Sequence, residues 1–215
     1  MSGFRVWIAA VLLGVLLIGG LVPAAGAADR AMNIEMEDQF GTSCSTAASR
    51  GNVVVLVYAE RHGAEAALAL GRQLHLHFHP TAGQPAAEAW STQPVVGLAG
   101  WPAGVPVPDV QVVPVASLTE VPRALRPVVR ARMRKDSPQV PVWLDFEGSL
   151  ERMFGIIPGE ANIVVLDTAG RVQSVLSGKF DDQDYAQFVG LLDQLRRAAQ
   201  PAIRVADQPN GSPAR

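Results

Sequence analysis

The segment Asn52 to Tyr58, NVVVLVY, is a continuous β-branched run after Asn52, apolar on both faces. That pattern predicts a β-strand buried on both sides, at the centre of a sheet. The period then changes. Gly63 to Leu76 places Ala66, Ala67, Leu70 and Leu74 at helical spacing, with Glu65 in the opening turn where a carboxylate suits the helix dipole. From Pro80 to Pro108 the periodicity is lost among Pro, Gly and Ala, and the stretch reads as an irregular insertion carrying Trp90 and Trp101. Regular patterning resumes with an apolar run, Val110 to Val115, followed by a helix capped by Ser117 or Thr119 and continuing to about Lys135, with a kink or break expected at Pro127. Pro141 to Phe146 predicts a strand, Gly148 to Phe154 a short helix, and Asn162 to Asp167 with Arg171 to Ser177 a hairpin turning at Ala169-Gly170. Asp181 to Ala199 closes the pattern as an amphipathic helix, with Tyr185, Phe188, Val189, Leu192 and Leu195 on one face and Asp181, Asp182 and Asp184 in the first turn. Crossover connections early and one antiparallel pair late predict an α/β domain with a central mixed sheet flanked by helices.

The two ends of the chain read differently. Arg5 precedes an apolar run from Val6 to Val22, which exits through Gly19, Gly20, Pro23 and the small residues Ala25-Gly26-Ala27. These are the three parts of a secretory signal, with Ala28 the expected first mature residue. The alternative is a retained anchor, since an apolar run of roughly 17 residues is close to the length that spans a bilayer. The expected organisation is therefore a signal peptide at 1–27, a polar leader at 28–50, one domain at 51–199 with its insertion at about 80–108, and a disordered polar tail at 200–215.

Composition narrows the function classes. A chain of 215 residues with 48% hydrophobic and 18% charged residues can fold around one core. Its formal charge is only -2, and the basic cluster from Arg123 to Lys135 has no interleaved aromatics, so nucleic acid is not an expected partner. That cluster reads as a solvated helix face, with an acidic partner or lipid head groups as the alternative. Basic residues are nearly all Arg, and Ala, Gly and Pro abound, a bias suited to a GC-rich bacterial genome. Cys44 is the single cysteine, so no internal disulfide can form.

Three strings carry a resemblance. GNVVVLVYAERHGAE at Gly51 to Glu65, PVWLDFEGSLERMFGI at Pro141 to Ile156 and NIVVLDTAGRVQSVLSGKF at Asn162 to Phe180 resemble the core strand with its active-site helix, the strand with its short helix, and the closing hairpin of the thioredoxin-like superfamily, in particular its redoxin and alkyl-hydroperoxide-reductase branch. The resemblance implies a thioredoxin-like fold over roughly Met36 to Ala199. It places the family's Cys-x-x-Cys on His62-Gly63-Ala64-Glu65, and its cis-proline near Ala161, with Pro158 a few residues early. A dithiol works through a thiolate at the helix N-terminus that a second sulfur resolves. Imidazole and carboxylate do not perform that exchange.

The remaining candidates follow from side-chain chemistry. His62 and Glu65 are a candidate acid/base pair at the helix start, or a remnant facing water. Cys44 is a candidate lone reactive thiol, although it lies upstream of the strand after which the family places its peroxidatic cysteine. His75, His77 and His79 alternate in LHLHFHP; an extended backbone would put all three on one face, able to bind zinc or copper, whereas a helical His75 would turn away. No cofactor is implied. The expected function is an exported thioredoxin-like module of the bacterial periplasm that binds an unidentified protein or small molecule without dithiol chemistry. The alternatives are an atypical one-cysteine redoxin using Cys44 and a histidine-dependent metal-binding protein. Contact with a membrane is expected only if the N-terminal segment is retained.

Overall fold

A computed structural model describes residues 30–84 and 90–199; the expected signal segment and the C-terminal tail lie outside the described residues. The strands are β1 (Glu35–Asp38), β2 (Ser43–Ser45), β3 (Val53–Ala59), β4 (Val110–Ser117), β5 (Trp143–Asp145), β6 (Asn162–Leu166) and β7 (Val172–Ser177). The helices are α1 (Ala64–Phe78), α2 (Arg126–Asp136), α3 (Ser149–Phe154) and α4 (Asp182–Ala198).

The apolar run of β3 is buried along its whole length because it has a neighbour on each edge and a layer on each face. β4 pairs with it in parallel and β6 antiparallel, within one seven-stranded sheet of order β2-β1-β5-β4-β3-β6-β7. The strand period of two divides its side chains between two cores. Val53, Val55 and Val57 pack with Leu70, Leu74 and Phe78 of α1 and with Phe188 and Leu192 of α4. Val54, Leu56 and Tyr58 pack on the opposite face with Ile34, Trp143, Leu150, Val164 and Leu166. At about 1.5–3 kcal/mol for each large apolar side chain taken from water, this strand is the principal stabilising element of the sheet.

Two local features explain elements that composition alone would disfavour. Pro114 lies inside β4, yet β5 pairs with β4 only from Val115 onward, so its missing N–H falls before the second neighbour begins. Asp181 caps α4 by accepting the Asp184 N–H at 2.8 Å, and the Asp184 carboxylate reaches back to the Asp181 N–H at 3.5 Å, forming a capping box.

The structure corrects the sequence reading in two places. The polar segment expected as a leader contains β1 and β2, which join the sheet as an antiparallel pair, β1 also pairing with β5. They are short, polar strands at a sheet edge, with no apolar period to reveal them. The basic helix begins at Arg126 rather than at a Ser117 or Thr119 cap, after a 3-10 turn at Arg123–Leu125. Pro127 sits in the first turn of α2, where no intrahelical partner is needed for an N–H, and therefore neither kinks nor breaks the helix. α2 buries none of its residues. Its arginines hold it in place: Arg126 to Glu147 at 2.8 Å, Arg130 to Glu37 at 2.5 Å and to the Asp38 carbonyl at 2.8 Å, and Arg134 to the Gln39 carbonyl at 3.0 Å.

Candidate functional site

α1 starts directly after β3, so the turn Glu60–Gly63 lies at the C-terminal end of the central strand. The helix has no side-chain cap at Gly63, and its unpaired N–H groups require an acceptor. Glu60 supplies one. Its Oε2 accepts the backbone N–H of His62 at 2.7 Å, and its Oε1 accepts those of Gly63 at 3.2 Å and Gly159 at 2.7 Å. One carboxylate thereby ties the β3–α1 turn to the loop between α3 and β6. The His62 and Gly159 N–H groups hold the Glu60 pKa down at about 2.

The same loop is held from two further sides. Tyr58 Oη donates to the Gly155 carbonyl at 2.5 Å, and Asn162 Oδ1 accepts the Ile157 N–H at 2.8 Å. Burial, with the Glu151 charge, pushes the Tyr58 hydroxyl up to about 12, so it remains a donor. The loop comes so close to Gly63 that a Cβ there would lie 2.4 Å from the Glu160 carbonyl oxygen. The close approach, rather than any backbone requirement of the residue, selects glycine, since its φ of -87 suits any side chain.

His62 and Glu65 stand where the dithiol was expected, but they do not form a pair. The His62 partner is Glu60, with Nδ1 3.0 Å from Oε2, and its side chain is 83% exposed. Glu65 is exposed in the first turn of α1. Glu60 is the residue that sequence reasoning missed; the available signal was an acidic side chain three residues before the helix cap, in the strand-to-helix turn. No peptide bond among the described residues is cis, including those near Ala161 and Pro158.

Cys44 lies on β2, four strand positions from β3, or about 19 Å at the usual inter-strand spacing. Its Sγ is within 3.5 Å of the Thr42 carbonyl, and desolvation followed by the Asp38 charge raises its pKa. This is the opposite of an activated thiolate.

The three histidines are not in an extended segment. His75 and His77 belong to α1, and His79 is its C-cap residue. Their period is therefore helical. His75 and His79, one turn apart, stack at a ring-centroid distance of 4.5 Å, whereas His77 points elsewhere, edge-on to Phe78 and Tyr185. Among the described residues, no group of three or more His, Cys, Asp or Glu side chains converges as a metal site would.

The strand order and connections define the fold class. β3-α1-β4 is a parallel βαβ unit, and β6-β7-α4 is an antiparallel hairpin followed by a helix, the two joined through β3 and β6 in one sheet. This is a thioredoxin-like fold with an irregular insertion between α1 and β4. No family model and no curated protein matches the chain. Among solved structures it is similar to the pneumococcal exposed lipoprotein thioredoxin of Streptococcus pneumoniae strain TIGR4, at 14% identity over 74% of this chain and 99% of that one, with a TM-score of 0.47. It is also similar to a putative thiol-disulfide oxidoreductase from Bacteroides vulgatus, at 14% identity, 77% and 90% coverage and a TM-score of 0.49. A secreted thiol-disulfide isomerase from Corynebacterium glutamicum gives 13% identity, 77% and 86% coverage and a TM-score of 0.48. The fold assignment rests on the strand order and the two units described above.

Proposed function

We propose that this chain is an exported, non-catalytic thioredoxin-like module that uses the β3–α1 end of its sheet to bind a partner. The observation that carries this reading is the Glu60 carboxylate, which occupies the turn before the helix as a brace between two loops, in a turn that holds no thiol. The Gly63–Glu160 contact supports it further, because the loop is packed against the helix start instead of standing off it. His62 in the turn, Ile157 on the α3–β6 loop at 52% and Leu68 further along α1 at 70% are exposed. A rigid rim with isolated apolar side chains and one imidazole suits contact with a protein segment better than turnover of a small molecule.

Placement in the redoxin branch rests on the strings Pro141 to Ile156 and Asn162 to Phe180, and export rests on the N-terminal pattern through Ala27. Among the described residues, no helix is long and apolar enough to cross a membrane.

The test is enzymatic. Purified protein, in wild-type form and as Cys44→Ala, is assayed for reduction of insulin disulfides and for thiol-dependent consumption of peroxide. Rates equal to those of buffer are expected. Turnover that persists in Cys44→Ala overturns the non-catalytic reading, and turnover lost in that variant revives the one-cysteine enzyme. Export is tested separately by sequencing the N-terminus of protein recovered from the envelope, where Ala28 is the expected first residue.

A further inference from the structure

A second polar cluster lies at the other end of α1, where the insertion returns to the domain. His75 is sandwiched, its ring stacked on His79 at 4.5 Å and on Trp90 of the insertion at 4.6 Å. His75 Nε2 donates to the Trp90 carbonyl at 2.9 Å, a bond that a neutral imidazole protonated on that nitrogen satisfies. His79 is buried, and both of its nitrogens face acceptors: Nδ1 the His75 carbonyl at 3.2 Å, and Nε2 the Asp109 carboxylate at 2.8 Å. The insertion is further seated by the Val96 N–H on the Phe78 carbonyl at 2.7 Å, and by Arg196 of α4, which donates to the Val96 carbonyl at 2.5 Å and the Pro108 carbonyl at 2.8 Å.

We propose that the segment from Trp90 to Pro108 is a proton-released strap, seated on α1 while His75 is neutral and unseated when His75 takes up a second proton inside the His79–His75–Trp90 stack. The charges around His75 give the direction. On its own helix His75 is stacked on His79, and the Arg72 guanidinium carbon lies 5.8 Å from the ring centroid of Trp90, its other stacking partner; from α4, Arg196 reaches the insertion at the Val96 carbonyl. The carboxylates are already engaged, Asp109 by His79 and the Val110 N–H, and Asp193 by Arg196. A charge on His75 would thus be enclosed between the His79 and Trp90 rings, beside carboxylates that already have partners. Burial, the largest influence, holds the His75 pKa below its ordinary value, with the His79 charge acting in the same direction and the Trp90 hydrogen bond and Asp109 opposing. A released His75 therefore binds its proton at higher pH than a seated one, and seating weakens as pH falls through about 6.5. This inference is independent of the partner-binding reading.

Hydrogen exchange of the Val96 amide, corrected for its intrinsic rate, tests the strap in the full chain between about pH 7.5 and about pH 5.5. One linked proton changes an equilibrium by at most about ten-fold per pH unit, so a loss of protection on the order of ten-fold is expected at Val96, with the β3 amides unchanged. His75→Phe keeps a stacking ring without a titrating group, and its Val96 protection should stay flat. Constant protection in the wild type, or an equal loss in His75→Phe, overturns the proposal. If that variant does not fold, the wild-type His75 ring resonances decide: their titration must coincide with the loss at Val96, and a separate midpoint overturns it.

Discussion

The Glu60 carboxylate accepts the backbone N–H of Gly159, 99 residues further along the chain, at 2.7 Å, while its other oxygen holds the N–H of His62. This bond fixes the α3–β6 loop against the start of α1. It also makes the local structure sensitive to acid. Because the folded pKa of Glu60 is lowered to about 2, its stabilisation is fully present above the ordinary carboxylate value and is lost as pH falls toward about 2. Glu60→Gln should therefore lower the urea midpoint at neutral pH, with the gap to wild type closing in acid. A gap that stays constant from pH about 7 to about 3 would show that the charge is not what matters.

The Gly63 contact makes a steric prediction. Gly63→Ala places a methyl 2.4 Å from a backbone oxygen that is itself tied down, so the loop must shift, at a cost of about 1–3 kcal/mol. Gly71 is the internal control: a Cβ there meets only Val112 Cγ1 at 3.8 Å, inside α1. Gly71→Ala should stabilise by about 0.5–1 kcal/mol through helix propensity. Denaturant unfolding of both variants checks the pair, and a stabilised Gly63→Ala would contradict the packing described here.

How far the sequence revealed this architecture depended on whether an element announced itself by apolar period. β3 did, and α4 did through its apolar face and its run of first-turn aspartates. β1 and β2 did not, because short strands reading EMED and SCS at one end of the sheet bury too little to leave a pattern. The histidines show two periods in competition. LHLHFHP alternates like a strand, but Leu70, Leu74 and Phe78 recur every four residues and are the side chains the core buries, so the helix wins and His75 and His79 share its face. The strand-to-helix turn after β3 was legible from the apolar run and the change of period that follows it. Its content was not, because Glu60 acts on backbone N–H groups that no motif records.

Arg196 is fully buried at the seat of the insertion, where it serves two carbonyls and Asp193. Arg196→Met leaves the Val96 and Pro108 carbonyls without that donor and should cost about 3 kcal/mol or more. Its effect on Val96 exchange should be the same at every pH, unlike that of His75. Arg196→Lys, with a point charge in place of a fork, should recover only part of the loss. An Arg196→Met protein within about 1 kcal/mol of wild type would remove Arg196 from the anchoring scheme.

For Cys44, burial and the Asp38 charge both oppose the thiolate. Alkylation by iodoacetamide at neutral pH should run slower in the folded protein than in urea, and Cys44→Ser, which sets a hydroxyl against the partly buried edge of the second core, should cost about 0.5–1.5 kcal/mol. Folded-state alkylation faster than that of the unfolded chain would mark an activated thiol instead.

A single half-buried cysteine on an edge strand has a consequence for how the chain matures. With no second thiol to pair within the given sequence, it has no internal disulfide to be made, shuffled or broken. Its folding therefore needs no internal thiol pairing. Its midpoint of unfolding should be identical with and without a reducing agent, so the scaffold would survive swings in the redox poise of its surroundings that would inactivate a dithiol enzyme.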